Sequence, residues 1–375
     1  MTDQAIIETP GLAIEEADLE VLRESIASVL ADESDRLAVH AFIDGKYDLD
    51  ARLWRQAGEL GWMAVSLPEE FGGFGFSAPG SRVLNSELGR VVAPGPFIPT
   101  LAAAQALAET GDAVVRSAWL PRIVAGEISI AIVASSAHGA PFALTSGRIS
   151  GRRTLLGASD AAVALVPVGE SDLALLDMAD VRREPTDFWD RTRTLIDITA
   201  DSVEALAVIT DGGVTRSALG RAFAIAVAAD CIGLSHGITA KTIDYMKERV
   251  QFGRPIGSFQ ALKHRMVDLV AKIGIAEHVL GQAVESATAG DPAADMWAAL
   301  AKASASDAAS FIAGDCVQLH GGVGYTWEFD VHLYLKRARL NEMLVTNNRT
   351  LRDQAAAELA SLTRAGRSTL ELPAA

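Results

Sequence analysis

Tyr245–Gln260, YMKERVQFGRPIGSFQ, is the stretch whose reading decides the fold. Helical periodicity runs up to it and resumes after it. Between lies a rigid corner made of Arg249, Phe252, Gly253, Arg254, Pro255 and Gly257. Glycine admits positive φ and proline fixes φ, so the corner reads as a tight connection between two long helices. It carries two arginines and ends on Gln260, which places cationic and hydrogen-bonding groups on a largely apolar scaffold. Taken alone, it reads as a helix–helix connection with solvated arginines.

A second stretch, Gln318–Trp327, QLHGGVGYTW, lies one helical hairpin further on. Closely spaced glycines let backbone N–H groups approach a ligand and form an anion-binding nest. An Arg-x-x-Phe-Gly corner followed by Gln-x-x-Gly-Gly-x-Gly resembles the acyl-CoA dehydrogenase family of flavoproteins. The resemblance implies that the first corner reaches across a subunit interface to the FAD of a neighbouring chain. It implies that the second holds the pyrophosphate end of that nucleotide. Arg249, Phe252, Gln260, Gln318, Gly321 and Gly322 stand at the matching positions and are the candidate cofactor-binding residues. No metal is expected.

The chain has 375 residues, 49% of them hydrophobic, enough for two or three domains. A net charge of −15 argues against nucleic acid as a partner. Cys231 and Cys316 sit in apolar helical pattern and read as small core residues of a reduced compartment. The acidic N-terminus lacks the basic region of a signal or transit peptide, and no uncharged apolar run reaches membrane-spanning length. A soluble cytoplasmic protein is expected.

Apolar spacing predicts helices over 15–34, 49–60, 81–93, 101–109 and 113–125. Between the second and third lies a Leu-Pro-Glu-Glu-x-Gly-Gly-x-Gly loop, Leu67 to Gly75. From Ile128 the period changes, and short β-type runs fall at 129–134, 148–154, 161–168, 173–176 and 205–209. From Ser217 four long helices are expected, over 217–249, 259–288, 292–314 and 330–358, as an antiparallel bundle ending in a frayed tail. The fold class is therefore α+β: an N-terminal helical domain (1–127), a middle β-barrel-like domain (128–213) and a C-terminal four-helix bundle (214–375). The resembling family has the same order and assembles as a tetramer.

The reaction this resemblance implies is α,β-dehydrogenation of an acyl-CoA thioester, an oxidation of a CH–CH group. A base takes the proton α to the carbonyl and a hydride leaves the β-carbon for FAD. The usual acceptor is an electron-transferring flavoprotein. This sequence departs from the family at the base. The Tyr-Glu-Gly-Thr stretch is replaced by Leu344, Val345, Thr346 and Asn347, so the usual base position holds Val345. The alternative position, at the start of the first bundle helix, holds Phe223. Glu342, one helical turn before Val345, and Asp230, about two turns after Phe223, are the acids nearest those positions, and each also reads as an ordinary helix acid. The usual Thr-Glu-Pro-Gly-Ala-Gly-Ser loop is replaced by Val133 to Gly147, where Ser135 and Ser136 could substitute for the flavin-touching hydroxyls.

The stretches RVQFGRPIGSFQALKH and LHGGVGYTWEFDVHLYLKRA look most like the branch of bacterial steroid and aromatic-acid breakdown. Its enzymes are often built from two related chains, one supplying the base and the other completing the FAD site. The expectation is a subunit without the catalytic glutamate in such a heteromer. The alternatives are a self-sufficient homotetramer with a displaced base, and a non-enzymatic acyl-CoA-binding or scaffold protein.

Overall fold

A computed structural model describes residues 16–136, 142–157 and 160–366. The acidic N-terminal tail, most of the expected C-terminal tail and residues 137–141 of the Val133–Gly147 loop lie outside the described residues. Six helices come first: α1 (Glu16–Glu33), α2 (Arg36–Ile43), α3 (Leu49–Glu59), α4 (Ser77–Arg90), α5 (Phe97–Glu109) and α6 (Ala113–Val124). The sequence reading missed α2. It is short, and the Asp35 carboxylate caps it by accepting from the Ala38 N–H at 2.7 Å, a local contact worth about 1 kcal/mol. The Leu67–Gly75 loop holds one 3-10 turn, Glu69–Phe71.

The middle region is one sheet, made of β1 (Ile130–Val133), β2 (Ala143–Thr145), β3 (Arg148–Gly157), β4 (Val163–Val168), β5 (Asp172–Asp177), β6 (Arg182–Pro185), β7 (Thr194–Glu204) and β8 (Ala207–Ile209). Its order is β6-β7-β3-β1-β4-β5-β8, with β2 on β3. The sheet does not close on itself, so it is barrel-like only loosely. All its ladders are antiparallel except β1 with β4. The long strand β7 escaped the sequence reading, although Leu195, Ile196, Ile198, Ala200 and Val203 are buried along it. One face of the sheet packs Phe142, Leu155, Val166, Leu176 and Ile198 together. Residues of the other face, including Ile130, Ile132, Leu156 and Leu165, join the large core shared with the helices.

The C-terminal region comprises α7 (Val214–Glu248), a small hairpin of β9 (Val250–Gln251) and β10 (Arg254–Pro255), α8 (Gln260–Thr288), α9 (Ala294–His320), α10 (Val331–Met343) and α11 (Asn348–Arg364). Helices α7 to α10 form the expected bundle, and α11 packs on α9. The helix expected over 330–358 is therefore two helices, broken between Met343 and Asn348. Tertiary bonds to the break replace the helical ones, as described below. Helix α7 is long and apolar enough to cross a membrane, but 78% of its apolar 18-residue window is buried inside the fold. It lies hard against α4: an added Cβ would come within 1.8 Å of the Ser86 carbonyl at Gly233 and within 2.2 Å of the Asp230 carbonyl at Gly89. Only glycine permits that approach.

Candidate functional site

The break in the last long helix is held by the β-domain. Val345 pairs with Ser135 in an isolated parallel bridge. The Val345 N–H donates to the Ala134 carbonyl at 2.9 Å. The Val345 carbonyl accepts from the Ser136 N–H at 2.8 Å and from the Ser136 hydroxyl at 3.1 Å. Val345 has φ +67°, an unusual conformation for a β-branched residue. Below the break, buried Lys302 on α9 donates from Nζ to the carbonyls of Glu342 (2.9 Å) and Thr346 (3.0 Å) and to Oδ1 of Asn348 (2.8 Å). The Asn347 side chain restarts the helix by accepting from the Thr350 N–H at 2.9 Å. The Lys302 contacts were invisible in sequence, where a lysine among alanines reads as a solvated residue.

Two cavities flank this bridge. One, of about 210 Å³, lies between the sheet and the first turns of α7, and Ser136, Phe223 and Val345 all line it. The other, of about 410 Å³, is lined by Ser135, Thr154, Leu340, Met343 and Leu344. Ser135 and Leu344 thus face the larger cavity, while their chain neighbours Ser136 and Val345 face the smaller one. Arg153 borders both.

The structure thus brings together the two positions where a base was sought, and both are apolar. None of the described residues lining the smaller cavity is an acid. Glu342 lines neither cavity. Its carboxylate accepts from the Ser310 hydroxyl at 3.0 Å and pairs with Arg339 at 2.9 Å. Asp197 borders the larger cavity. Bonds from Thr154 (2.5 Å) and Arg152 (3.1 Å) hold its carboxyl below the usual range, which makes it a poor proton acceptor.

Asp230 is fully buried in a structural network. It accepts from Arg193 at 2.8 Å, Arg337 at 3.3 Å and Asn341 at 2.7 Å. Arg337 also donates to Asp190 at 2.8 Å and to the Val92 and Ala93 carbonyls, both at 3.2 Å. Three regions of the fold meet there, with two arginines facing two aspartates. Burial, then the charge of Arg337, lowers the Arg193 pKa to about 10. Removing one partner from such a cluster costs about 3–5 kcal/mol.

The six residues expected to bind cofactor line neither cavity. They lie where α7 and α9 end. The β9–β10 hairpin turns at Phe252 (φ +53°) and Gly253 (φ +79°), and Phe252 is 92% exposed. Arg254 covers the Phe259 ring at 4.1 Å. Arg249, Gln260 and Gln318 are exposed. Gly321 leaves α9 at φ +63°, and a Cβ added at Gly321 or Gly322 would meet nothing within 4 Å. Their backbone therefore borders open space that a phosphate can approach. An exposed arginine, two amides and open glycine backbone suit the anionic end of a nucleotide. The larger cavity, mostly apolar but bordered by Thr154, Asp197, Arg152 and Arg153, falls in the size range of small-molecule sites, about 300–1,000 Å³. The residues present fit FAD.

Comparison with known proteins agrees with this architecture. Residues 16–127 match the model of the acyl-CoA dehydrogenase N-terminal domain, and residues 214–360 match that of the C-terminal domain. The chain is 34% identical over 345 residues to acyl-CoA dehydrogenase IpdE2 of Mycobacterium tuberculosis, covering 88% of this chain and 93% of that protein. A solved variant of the Tcur3481-Tcur3483 steroid ACAD superposes with a TM-score of 0.84 at 28% identity, over 93% of this chain and 99% of that one. The ChsE4-ChsE5 complex from Mycobacterium tuberculosis gives 0.81 at 25% identity, over 97% and 100%.

Proposed function

Because this chain belongs to the acyl-CoA dehydrogenase family, we propose that it serves as the subunit without a catalytic glutamate in a heteromeric, FAD-dependent acyl-CoA dehydrogenase. One observation carries this reading: Phe223 and Val345 face the same small cavity, and no described residue lining it is an acid. The likeness to a steroid ACAD named for two chains, and to a complex of ChsE4 with ChsE5, supports it and points to a steroid-derived acyl-CoA as substrate. An electron-transferring flavoprotein is the proposed acceptor.

The family's cofactor is FAD, which when bound supplies the acceptor for the hydride leaving the substrate β-carbon. The contribution of this chain is positioning. Arg249, Gln260, Gln318 and the backbone at Gly321 and Gly322 would hold the nucleotide phosphates, with Phe252 buttressing the arm against a neighbouring subunit. Met343, Leu344 and Thr154 offer an apolar wall and one hydroxyl to the flavin ring. Lys302 and the Ala134–Val345 bond fix the backbone between sheet and bundle. Removal of the α-proton falls to a glutamate of the partner chain.

Deuterium wash-in tests this reading. The isolated chain, reconstituted with FAD, is incubated with acyl-CoAs in D₂O, with and without a glutamate-bearing partner. Wash-in at the α-carbon only with the partner is expected. Wash-in by the isolated chain at rates typical of working dehydrogenases, abolished in Glu342→Gln, would establish the self-sufficient alternative instead.

A further inference from the structure

Helix α2 meets the chain just past the glycine loop through one cluster of rings. Trp327 has its ring centroid 5.1 Å from that of His40 on α2 and 5.0 Å from that of His332 on α10, with both pairs near-perpendicular. The two imidazoles are 6.1 Å apart. His332 is buried, and neither of its ring nitrogens, nor Nε2 of half-buried His40, has a hydrogen-bond partner among the described residues. Lys336 Nζ already stands over the Trp327 ring at 5.5 Å, so further positive charge there is repelled. The charges facing the pair are Arg36 and Asp44 on α2 and Asp330 and Lys336 beside or on α10. Asp330 is paired with Lys241 of α7 and Asp44 with Lys46, both at 2.9 Å, so each acid already faces a lysine. Burial, then Lys336, lowers the His332 pKa to about 4, and burial, then Arg36, lowers that of His40.

The cluster is tied to the glycine loop. Arg36 donates to the Glu328 carbonyl at 3.1 Å. Thr326 donates back into the Gly321–Tyr325 turn, from its N–H (3.1 Å) and its hydroxyl (2.9 Å), to the Val323 carbonyl. Phe329 packs edge-on to His320, with centroids 5.9 Å apart.

We infer that the His40–Trp327–His332 cluster is an acid-operated latch: with both imidazoles neutral it holds α2 against the glycine loop, and their protonation opens it and releases the nucleotide bound there. The opening stands on the cluster alone, whereas the release rests on the reading of Gly321 and Gly322 as part of the cofactor site. An imidazolium needs water or an acceptor, and the closed cluster offers His332 neither. The proton therefore binds the open form more tightly, and falling pH favours opening. With a His332 pKa of about 4 closed and 6.5 open, the open fraction rises roughly twentyfold from pH 7 to pH 5.

Hydrogen exchange of the FAD-loaded full chain, with any partner it carries, tests the opening at pH 7 and pH 5 after correction for intrinsic rates. Peptides covering residues 36–43 and 321–332 should lose protection roughly twentyfold at pH 5. His332→Phe keeps a ring but cannot take the proton, and should remove most of that loss. Lys336→Gln removes a repelling cation, and should move the loss to higher pH. Flavin absorbance after gel filtration should fall over the same pH range. Protection equal at the two pH values would overturn the latch, as would a loss unchanged in His332→Phe. Should that variant fail to fold, a Lys336→Gln profile superposing on the parent's would overturn it. Opening at pH 5 with full flavin retention would overturn the release step, and with it the reading of the glycine loop as a cofactor site.

Discussion

Tyr245 stacks on His320, with ring centroids 4.3 Å apart and planes 19° from parallel, and its hydroxyl donates to the His320 carbonyl at 3.3 Å. Tyr245 lies four residues before Arg249, and His320 immediately precedes Gly321. This contact therefore joins the arginine arm to the glycine loop within one subunit. Two motifs far apart in sequence become one surface. Phe329 closes the pair edge-on to both rings.

That surface should act through Arg249. The side chain is exposed and takes part in no ion pair among the described residues, so Arg249→Ala should leave thermal stability within about 0.5 kcal/mol. A charge-assisted bond to phosphate is worth about 1.5–3 kcal/mol, or roughly 10–150-fold in affinity. Flavin absorbance after gel filtration should fall accordingly. Full flavin retention in the variant would remove Arg249 from the cofactor site.

Val345→Glu should restore a proton acceptor to the smaller cavity. A glutamate tolerates the positive φ at this position better than a β-branched valine. A positioned base contributes about 10²–10⁴-fold. Deuterium wash-in by the isolated, FAD-reconstituted variant should rise by at least the lower figure. No gain, with flavin bound, would mean that the Val345 side chain does not reach a substrate α-carbon.

Lys302→Met should be strongly destabilising. It removes the donor shared by Glu342, Thr346 and Asn348 and leaves their oxygens buried. Asn348 Oδ1 keeps the Ser306 hydroxyl at 3.1 Å, so two carbonyls are left without their side-chain donor; at about 1–3 kcal/mol each, a loss of at least about 2 kcal/mol is expected in urea unfolding. Flavin retention should also fall, because Met343 and Leu344 lose their anchor. A variant as stable as the parent would show that the Ala134–Val345 bridge holds the break alone.

His332 should make stability pH-dependent. It is buried between His40, Trp327 and Lys336, with neither ring nitrogen bonded among the described residues. Burial, then the charge of Lys336, lowers its pKa to about 4 from 6.5. Between these values the unfolded chain binds the proton and the folded chain does not. Stability from this group is therefore full above about 6.5 and falls as pH drops towards 4. His40 is shifted in the same direction by burial and Arg36. His332→Phe should flatten the difference in urea midpoint between pH 7 and pH 5 relative to the parent. An unchanged slope would assign the whole dependence to carboxylates.

The sequence by itself determined the order of helical, β and helical regions, because apolar period is a local property that burial later uses. It also determined the arm and the glycine loop, since the φ requirements at Gly253 and Gly321 and the exposed charge of Arg249 are written into residue types. Its resemblance to the family pointed to Phe223 and Val345 as the positions where a base was to be sought. Only the tertiary structure decided that these two face one cavity, because α7 and the α10–α11 break lie more than a hundred residues apart in the chain and meet through the sheet. Only it broke the last long helix: the residues around Val345 could continue a helix, but a buried lysine and the segment just after β1 offer their backbone better partners. It alone turned Asp230 from a possible base into the centre of a buried charge network, since a carboxylate's role is set by which guanidiniums reach it, and Arg193 and Arg337 come from other parts of the chain.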